Sequence, residues 1–344
     1  MQVYVSGVKE VRKVDDYTID VINETPNPVM LNNFCTFYIM SKAWAVKNKT
    51  EKVQDYRNKE ETYASRNTNG TGPYVLKSWE PDKRIVLQAN PNWWDRLSGN
   101  VTEVIYTPIR SDATRVAALL SGDVDLVTDL PTQDVARLRQ DAKLKILDGA
   151  ENRTIFIAPD VGSAELKYGD VKGKNPFKDL RVRKAMYQAI DSNAIHTRVM
   201  RGQSIPTGTF FPPQVNGYIK SEDVRYPFSI DAAKKLLAEA GYANGFEVTL
   251  DCPNNRYIND EQICQAVAAM WTRVGINTKL NAMPLATFFP KIQKDDSSLY
   301  LMGWGVPTYD ALYSFQSLLQ SRDGQPGNGI WNYGRYSLAE MDRL

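Results

Sequence analysis

Residues 173–195 read GKNPFKDLRVRKAMYQAIDSNAI and predict a helix with a well-marked start. Pro176 disfavours helical backbone at the residue before it, and Asp179 is a good N-cap for a helix that follows. Asp191 and Asn193 mark the end of the predicted helix. The apolar residues between them recur at the spacing of one buried helical face: Val182, Ala185, Met186, Ala189 and Ile190. These residues therefore identify a packed helix rather than a ligand site.

Alternating helix and strand patterns flank this helix on both sides, which is typical of an α/β protein. Before it, the sequence predicts a hairpin over 11–23, partial helix over 44–68, strands over 74–79, 84–90, 101–108, 122–127, 144–147 and 154–158, and helices over 113–120 and 132–140. After it, the sequence predicts helices over 231–240 and 260–274, each followed by a glycine, and strands over 247–250, 276–280 and 299–302.

Three motifs also carry a family resemblance: Pro-Phe-x-Asp-x-Arg-Val-Arg-x-Ala from Pro176, the Arg115 to Asp125 pattern, and the Gly-Trp pair at 303–304. They resemble the extracytoplasmic solute-binding proteins, family 5, of the dipeptide, oligopeptide and nickel type, which serve ABC importers. The resemblance implies a two-lobed, class II periplasmic-binding-protein-like fold whose lobes are joined by two crossing strands. It assigns residues 1–157 to part of the first lobe, 158–301 to the second lobe, and 302–344 to the return into the first lobe.

Composition and charge limit the classes of partner that this chain can bind. The 344 residues are enough for two domains, and 42 basic against 40 acidic side chains leave a formal net charge of +2. No basic cluster interleaved with aromatic residues occurs, which disfavours nucleic acid and anionic membranes as partners. No stretch approaches the roughly 20 apolar residues of a membrane span, and the first residues are not a signal peptide. The resemblance implies a monomer that lies in the periplasm or on the outer face of the cell membrane and docks on a membrane permease. We expect this chain to be a fragment without its signal peptide and terminal parts.

The three cysteines are Cys35, Cys252 and Cys264. Cys252 ends a predicted strand and Cys264 lies early in the next predicted helix, so the two can form a disulfide across a short loop. Two separate buried thiols are the alternative. Cys35 is predicted to be a free, buried thiol.

Catalytic chemistry has little support in this sequence. His196 is the single histidine and no Cys-x-x-Cys occurs, so neither a transition-metal site nor a Ser-His-Asp triad is indicated. No phosphate-binding or dinucleotide-binding glycine motif occurs either. We therefore predict a protein with no metal, no cofactor and no enzymatic activity. A carboxylate-based glycoside hydrolase and a ligand-sensing receptor module with the same fold stay open as alternatives.

The first candidate ligand surface follows the predicted strand over 299–302. Trp304 lies between two glycines, Gly303 and Gly305, so its ring can face a cleft where the backbone allows close approach. Tyr309 and Asp310 follow shortly afterwards. The resemblance implies an aspartate soon after the Gly-Trp pair that meets the α-ammonium group of a peptide.

This sequence departs from that pattern, because Pro307 stands where the aspartate is expected and Asp310 lies three residues further on. Either Asp310 or another carboxylate takes the role, or the ligand is not an ordinary peptide but another small polar solute.

A second candidate is the loop after the predicted strand over 247–250, which contains Asn254, Arg256 and Tyr257. Ligands of α/β proteins gather at the carboxyl ends of strands. Arg256 can meet a carboxylate with two hydrogen bonds, and Tyr257 can stack on a ligand. The alternative is a solvated loop that only caps the following helix.

Overall fold

The computed structural model describes residues 2–5, 7–55, 60–325 and 327–343. The chain forms two compact units, one of Met1–Thr36 with Thr128–Leu344 and one of Phe37–Val127. Within the described ranges, no helix has both the length and the apolar character needed to cross a membrane. The lobe boundaries expected from the sequence stay a prediction.

The secondary structure alternates between helices and strands along most of the chain. The strands are β1 (Val8–Lys13), β2 (Ile19–Asn23), β3 (Tyr74–Glu80), β4 (Arg84–Ala89), β5 (Glu103–Tyr106), β6 (Arg153–Pro159), β7 (Phe246–Pro253), β8 (Ile276–Met283) and β9 (Leu299–Gly305). The α-helices are α1 (Gln2–Val5), α2 (Met30–Phe34), α3 (Lys42–Lys47), α4 (Asp112–Ser121), α5 (Thr132–Leu138), α6 (Leu180–Gln188), α7 (Ser192–Ala194), α8 (Ile230–Glu239), α9 (Asp260–Thr272), α10 (Leu285–Ile292) and α11 (Ala311–Ser314). Short 3₁₀ turns cover Tyr63–Ser65, Pro176–Lys178 and Met341–Arg343, and π-helical turns cover Ile195–Val199 and Phe315–Leu319.

The smaller unit contains an antiparallel sheet in the order β3-β4-β5. Its helix α4 ends at Gly122, whose φ of 81° is a conformation that favours glycine. The backbone N–H groups of Asp123 and Val124 then donate back to the carbonyl of Ala118, at 2.9 and 3.2 Å. The predicted strand over 122–127 is therefore wrong, because these donors close the helix end instead of joining a sheet.

The larger unit is organised by a four-stranded sheet in the order β6-β9-β7-β8. β6 runs antiparallel to β9, whereas β7 runs parallel to both β8 and β9. Both faces of β9 are covered. Leu299 and Leu301 enter the core formed with α6, α8 and α9, while Tyr300, Met302 and Trp304 enter a second core on the other face.

The helix predicted from residues 173–195 is confirmed as α6. The Asn175 side chain accepts a hydrogen bond from the Phe177 N–H, and Asp179 accepts one from the Arg181 N–H at 2.8 Å, so each begins a helical turn. The predicted face is confirmed as well, since Val182, Ala185, Met186 and Ala189 are buried and Ile190 packs against the same core. Asp191 starts a new turn after α6 by capping α7.

Two further predictions need correction. The expected strand over 144–147 is absent, because the Leu144 N–H donates to the Asp141 carbonyl and continues a turn. Cys35 is exposed rather than buried, since it lies just after the short helix α2 on the surface. The region over 44–68 is helical only in α3 and at Tyr63–Ser65, and residues 56–59 lie outside the described residues.

We expect acid to weaken the fold through Asp296, whose pKa is lowered to about 2, chiefly by the hydrogen bond from Lys167 and then by that from Tyr168. A lowered pKa in the folded state stabilises the fold above the ordinary pKa of about 4 and loses that effect as the pH falls toward 2. Urea unfolding should therefore show a difference between wild type and Asp296→Asn at neutral pH that shrinks steadily in acid. A difference that is independent of pH would contradict this.

Candidate functional site

A cavity of about 410 Å³ lies in the larger unit, at the edge of the sheet where β9 and β7 end. Because β6 runs antiparallel to β9, its first residue, Arg153, pairs with the last residue of β9, Gly305, and lies at the same edge. Six aromatic residues line the cavity: Tyr257, Phe289, Trp304, Tyr309, Tyr313 and Trp331. Two arginines, Arg153 and Arg256, also line it.

Tyr257 is seated in this cavity by a glycine. Its hydroxyl hydrogen-bonds to the carbonyl of Gly303 at 3.4 Å. A Cβ atom at position 303 would lie 2.7 Å from a ring carbon of Tyr257 and 2.7 Å from the end of Ile155. The absence of a side chain at Gly303 therefore leaves room for the ring of Tyr257, in addition to any approach by a ligand.

The loop that carries Arg256 and Tyr257 is held from behind by the buried carboxylate of Asp260. One oxygen of Asp260 accepts hydrogen bonds from the backbone N–H groups of Arg256 and Tyr257, both at 2.9 Å, and the other accepts one from Glu261 at 2.9 Å. Burial raises the pKa of Asp260, and these hydrogen bonds partly oppose the rise. The loop therefore leads into helix α9, as expected for a capping loop, and also borders the cavity.

A disulfide between Cys252 and Cys264 closes the same loop, with Cα atoms 6.6 Å apart. Cys252 lies near the end of β7 and Cys264 lies in the second turn of α9. Arg256 and Tyr257 both lie between the two cysteines, so the disulfide limits the conformations that this side of the cavity can adopt.

Removal of the disulfide by Cys252→Ala with Cys264→Ala should lower the free energy of unfolding by about 3 kcal/mol, because the unfolded chain regains loop entropy. Urea denaturation followed by circular dichroism measures the loss. Cys35→Ala is the control and should change stability little, since Cys35 is exposed and outside the disulfide. A double variant as stable as the control would show that the loop is held without the disulfide.

Trp304 is mostly packed rather than presented to a ligand. It is only 5% exposed, stacks on Tyr313 with ring centroids 5.2 Å apart, and donates its indole N–H to the Ser314 hydroxyl at 2.9 Å. Tyr4 stacks on Tyr313 with centroids 5.5 Å apart, and burial raises the pKa of the Tyr313 hydroxyl. Trp304 therefore forms a fixed wall of the cavity, whereas Tyr309 is about half exposed beside it.

The structure places two of the predicted ligand residues outside the cavity lining. Asp310 caps α11, because one carboxylate oxygen accepts the Leu312 N–H at 2.9 Å and the other accepts the Asn216 side-chain amide at 2.7 Å. Asn254 is exposed and donates its backbone N–H to the Met283 carbonyl. Trp304, Gly305, Tyr309, Arg256 and Tyr257 are brought together around the cavity.

Several residues of the lining were not predicted from the sequence. Arg153 had a signal, since two crossing strands that pair antiparallel bring the start of one against the end of the other. Phe289 lies on α10, and Trp331 comes from a segment without regular structure, so neither carried a local pattern that points to this site. Their placement depends on packing against the second core.

In the part of the chain that the structure describes, there is no metal site, and no histidine lines the cavity. No group of three or more His, Cys, Asp and Glu side chains is arranged there to hold a metal ion. His196 lies with its Nδ1 3.2 Å from the Ser204 hydroxyl, away from the cavity lining.

The carboxyl ends of strands such as β7 and β9 are where α/β proteins commonly bind their ligands, in cavities lined mostly by apolar and aromatic side chains. The chain belongs to the bacterial extracellular solute-binding proteins, family 5 Middle, whose model matches residues 2–326. The resemblance seen in the sequence is thereby confirmed.

Proteins similar to this chain are named for different solutes. The chain is 26% identical to the heme-binding protein A of Haemophilus influenzae, over 98% of this chain and 58% of that protein. It is 28% identical to the periplasmic oligopeptide-binding protein OppA of Salmonella typhimurium, over 97% of this chain and 58% of that protein. The chain thus spans somewhat more than half the length of these relatives.

The fold is also that of solved periplasmic binding proteins. The periplasmic binding protein DppA of Helicobacter pylori, solved in complex with the peptide STSA, matches with a TM-score of 0.79 and 22% identity, over 99% of this chain and 64% of that one. This likeness confirms the predicted two-lobed α/β fold class.

Proposed function

We propose that this chain belongs to the substrate-binding component of an ABC importer and holds a peptide-like or other small polar solute in the cavity beside Trp304. Family membership supports the class of function. The observation that carries the proposal is the cavity of about 410 Å³, which combines aromatic walls with two arginines at the carboxyl ends of β7 and β9. Such a volume suits a small ligand.

The binding residues of this proposal are Arg256, Tyr257, Trp304, Gly305 and Tyr309. Arg256 supplies a planar fork of donors at the mouth of the cavity, and Tyr257 supplies an aromatic face beside it. Trp304 gives a rigid wall. Asp310 and Asn254 serve the fold through capping and loop contacts instead.

The proposed protein is a periplasmic monomer that passes its solute to a membrane permease and performs no chemistry on it. A carboxylate-based hydrolase needs two carboxyl groups on either side of the bond that it cleaves. Among the described residues that line the cavity, none is an aspartate or a glutamate. This favours binding over hydrolysis at this place.

Solute recovery tests the proposal. The chain, purified without denaturant, is unfolded to release its small molecules, and the released fraction is returned to freshly refolded chain. We expect a saturable rise in the melting temperature, because a ligand of the folded state stabilises it, and we expect the solute to be recovered chemically unchanged. Absence of a saturable shift, or recovery of cleaved products, would contradict the proposal.

Gly303→Ala should weaken solute binding by about tenfold, because the new methyl group displaces Tyr257 and removes one aromatic contact with the solute. Titration of the recovered solute against each variant measures the change. Gly149→Ala is the matched control, since a Cβ atom there has no neighbour within 4 Å. Equal affinities for the two variants would remove Tyr257 from the proposed site.

A further inference from the structure

The formal charges on the described residues of the cavity lining are all positive. Arg153 and Arg256 both line the cavity, and no aspartate or glutamate does. The guanidinium carbons of the two arginines lie 5.8 and 5.3 Å from the centroid of the Tyr257 ring. Both charges therefore border the same aromatic ring.

Much of the hydrogen-bonding capacity of these arginines is unused by the protein. Arg153 donates its Nε–H to Glu151 at 2.6 Å, and within the described ranges its two Nη groups have no acceptor. Among the described residues, the guanidinium of Arg256 has no ion-pair or hydrogen-bond partner. The hydrogen bond of Arg256 to Asp260 comes from its backbone N–H. A guanidinium presents its donors in a fork that matches a carboxylate.

The carboxylates near the cavity already form hydrogen bonds or ion pairs within the protein. Both oxygens of Asp310 are occupied by Leu312 and Asn216, and Asp260 accepts three backbone N–H groups behind the loop. Glu151 is two-thirds exposed and lies outside the lining, where it bonds to Arg153. Pro307, at the edge of the cavity, has neither a charge nor an N–H donor.

Enclosure of a charged group is costly unless it meets an opposite charge. An ammonium group placed in this cavity meets two like charges, whereas a carboxylate meets two forks of donors.

We propose that the solute is an anion with at least one carboxylate held by both Arg153 and Arg256, and that it has no free ammonium group, as in an N-acylated peptide or a similarly blocked amino-acid derivative. This inference rests on the proposed solute-binding function and names the class of solute. The apolar part of the solute packs against Tyr257 and the aromatic wall formed by Trp304 and Tyr309.

A chemically split peptide library tests this inference. One synthetic random tripeptide library is divided into an untreated pool, an N-acetylated pool, and an N-acetylated pool with C-terminal amides. Each pool is incubated with the full chain, and the retained peptides are identified by mass spectrometry after gel filtration. We expect retention of the acetylated acids to exceed that of both other pools by about tenfold, as one charge-assisted contact provides.

Arginine variants connect the result to the cavity. Arg153→Gln and Arg256→Gln should each reduce retention of the acetylated acids about tenfold. Arg273→Gln, an exposed arginine at the end of α9, is the matched control and should leave retention unchanged.

The results separate failure of the anion inference from failure of the proposed solute-binding function. Equal or better retention of the untreated pool, or loss of retention with neither cavity variant, overturns the anion inference and leaves solute binding in place. Retention of no pool by any protein overturns the inference and counts against the proposed function as well.

Discussion

Trp271→Ala is expected to lower the free energy of unfolding by about 4 kcal/mol, the largest effect that we predict for a single substitution. The Trp271 ring is 2% exposed and lies in the core between α9 and α6. Its indole N–H donates to the carbonyl of Met186 at 2.9 Å. The substitution therefore leaves both a large cavity and an unpaired buried carbonyl. Urea unfolding monitored by circular dichroism measures the loss.

Two companion variants separate the causes of that loss. Trp271→Phe keeps most of the ring volume but removes the N–H donor, so it should fall between wild type and Trp271→Ala. Trp94→Ala removes an indole that is 78% exposed and should change stability by less than about 0.5 kcal/mol. A loss below about 1 kcal/mol for Trp271→Ala would contradict the packing described for α6 and α9.

Lys291→Met is expected to cost about 3 kcal/mol, because it leaves a buried negative charge without its partner. The Lys291 Nζ lies 3.4 Å from a carboxylate oxygen of Asp251, which is fully buried, and 3.4 Å from one of Asp296. Asp251 also accepts hydrogen bonds from Ser297 at 2.6 Å and Asn281 at 2.7 Å, so its position is fixed. Without Lys291, two carboxylates remain close together with less compensation.

The double variant Lys291→Met with Asp251→Asn is the informative control. Removal of both charges should recover part of the lost stability, because the uncompensated buried charge is gone. Lys235→Met removes an exposed lysine that lies 4.0 Å from Glu239 and should change stability by less than about 0.5 kcal/mol. A single Lys291→Met variant as stable as Lys235→Met would show that the buried pair contributes nothing.

Features that depend on neighbouring residues could be predicted from the sequence. The cap at Asp179 follows from a side chain that bonds to the N–H group two residues further on. The buried face of α6 follows from helical periodicity. Strand propensity alone was insufficient over 122–127, where backbone donors turn back to the end of α4.

The candidate site was predictable only where it follows a strand end. The turn at Arg256 and the glycines beside Trp304 carried local signals. Trp331 reaches the cavity through core packing between distant segments, so no local pattern indicates it. Arg153 reaches it through the pairing of two distant strands, and only the predicted pair of crossing strands pointed to it. Asp310 was predicted to bind a ligand, and its carboxylate instead caps a helix at Leu312 and accepts a hydrogen bond from Asn216, which the sequence did not indicate.

Native mass spectrometry of the chain purified without denaturant tests most directly the central claim that the cavity beside Tyr257 holds a small solute. We expect a complex heavier than the chain by one small molecule in wild type and in Arg273→Gln, and a much smaller fraction of that complex in Arg256→Gln. Bare chain in all three proteins, or a bound solute that Arg256→Gln leaves unaffected, would contradict it.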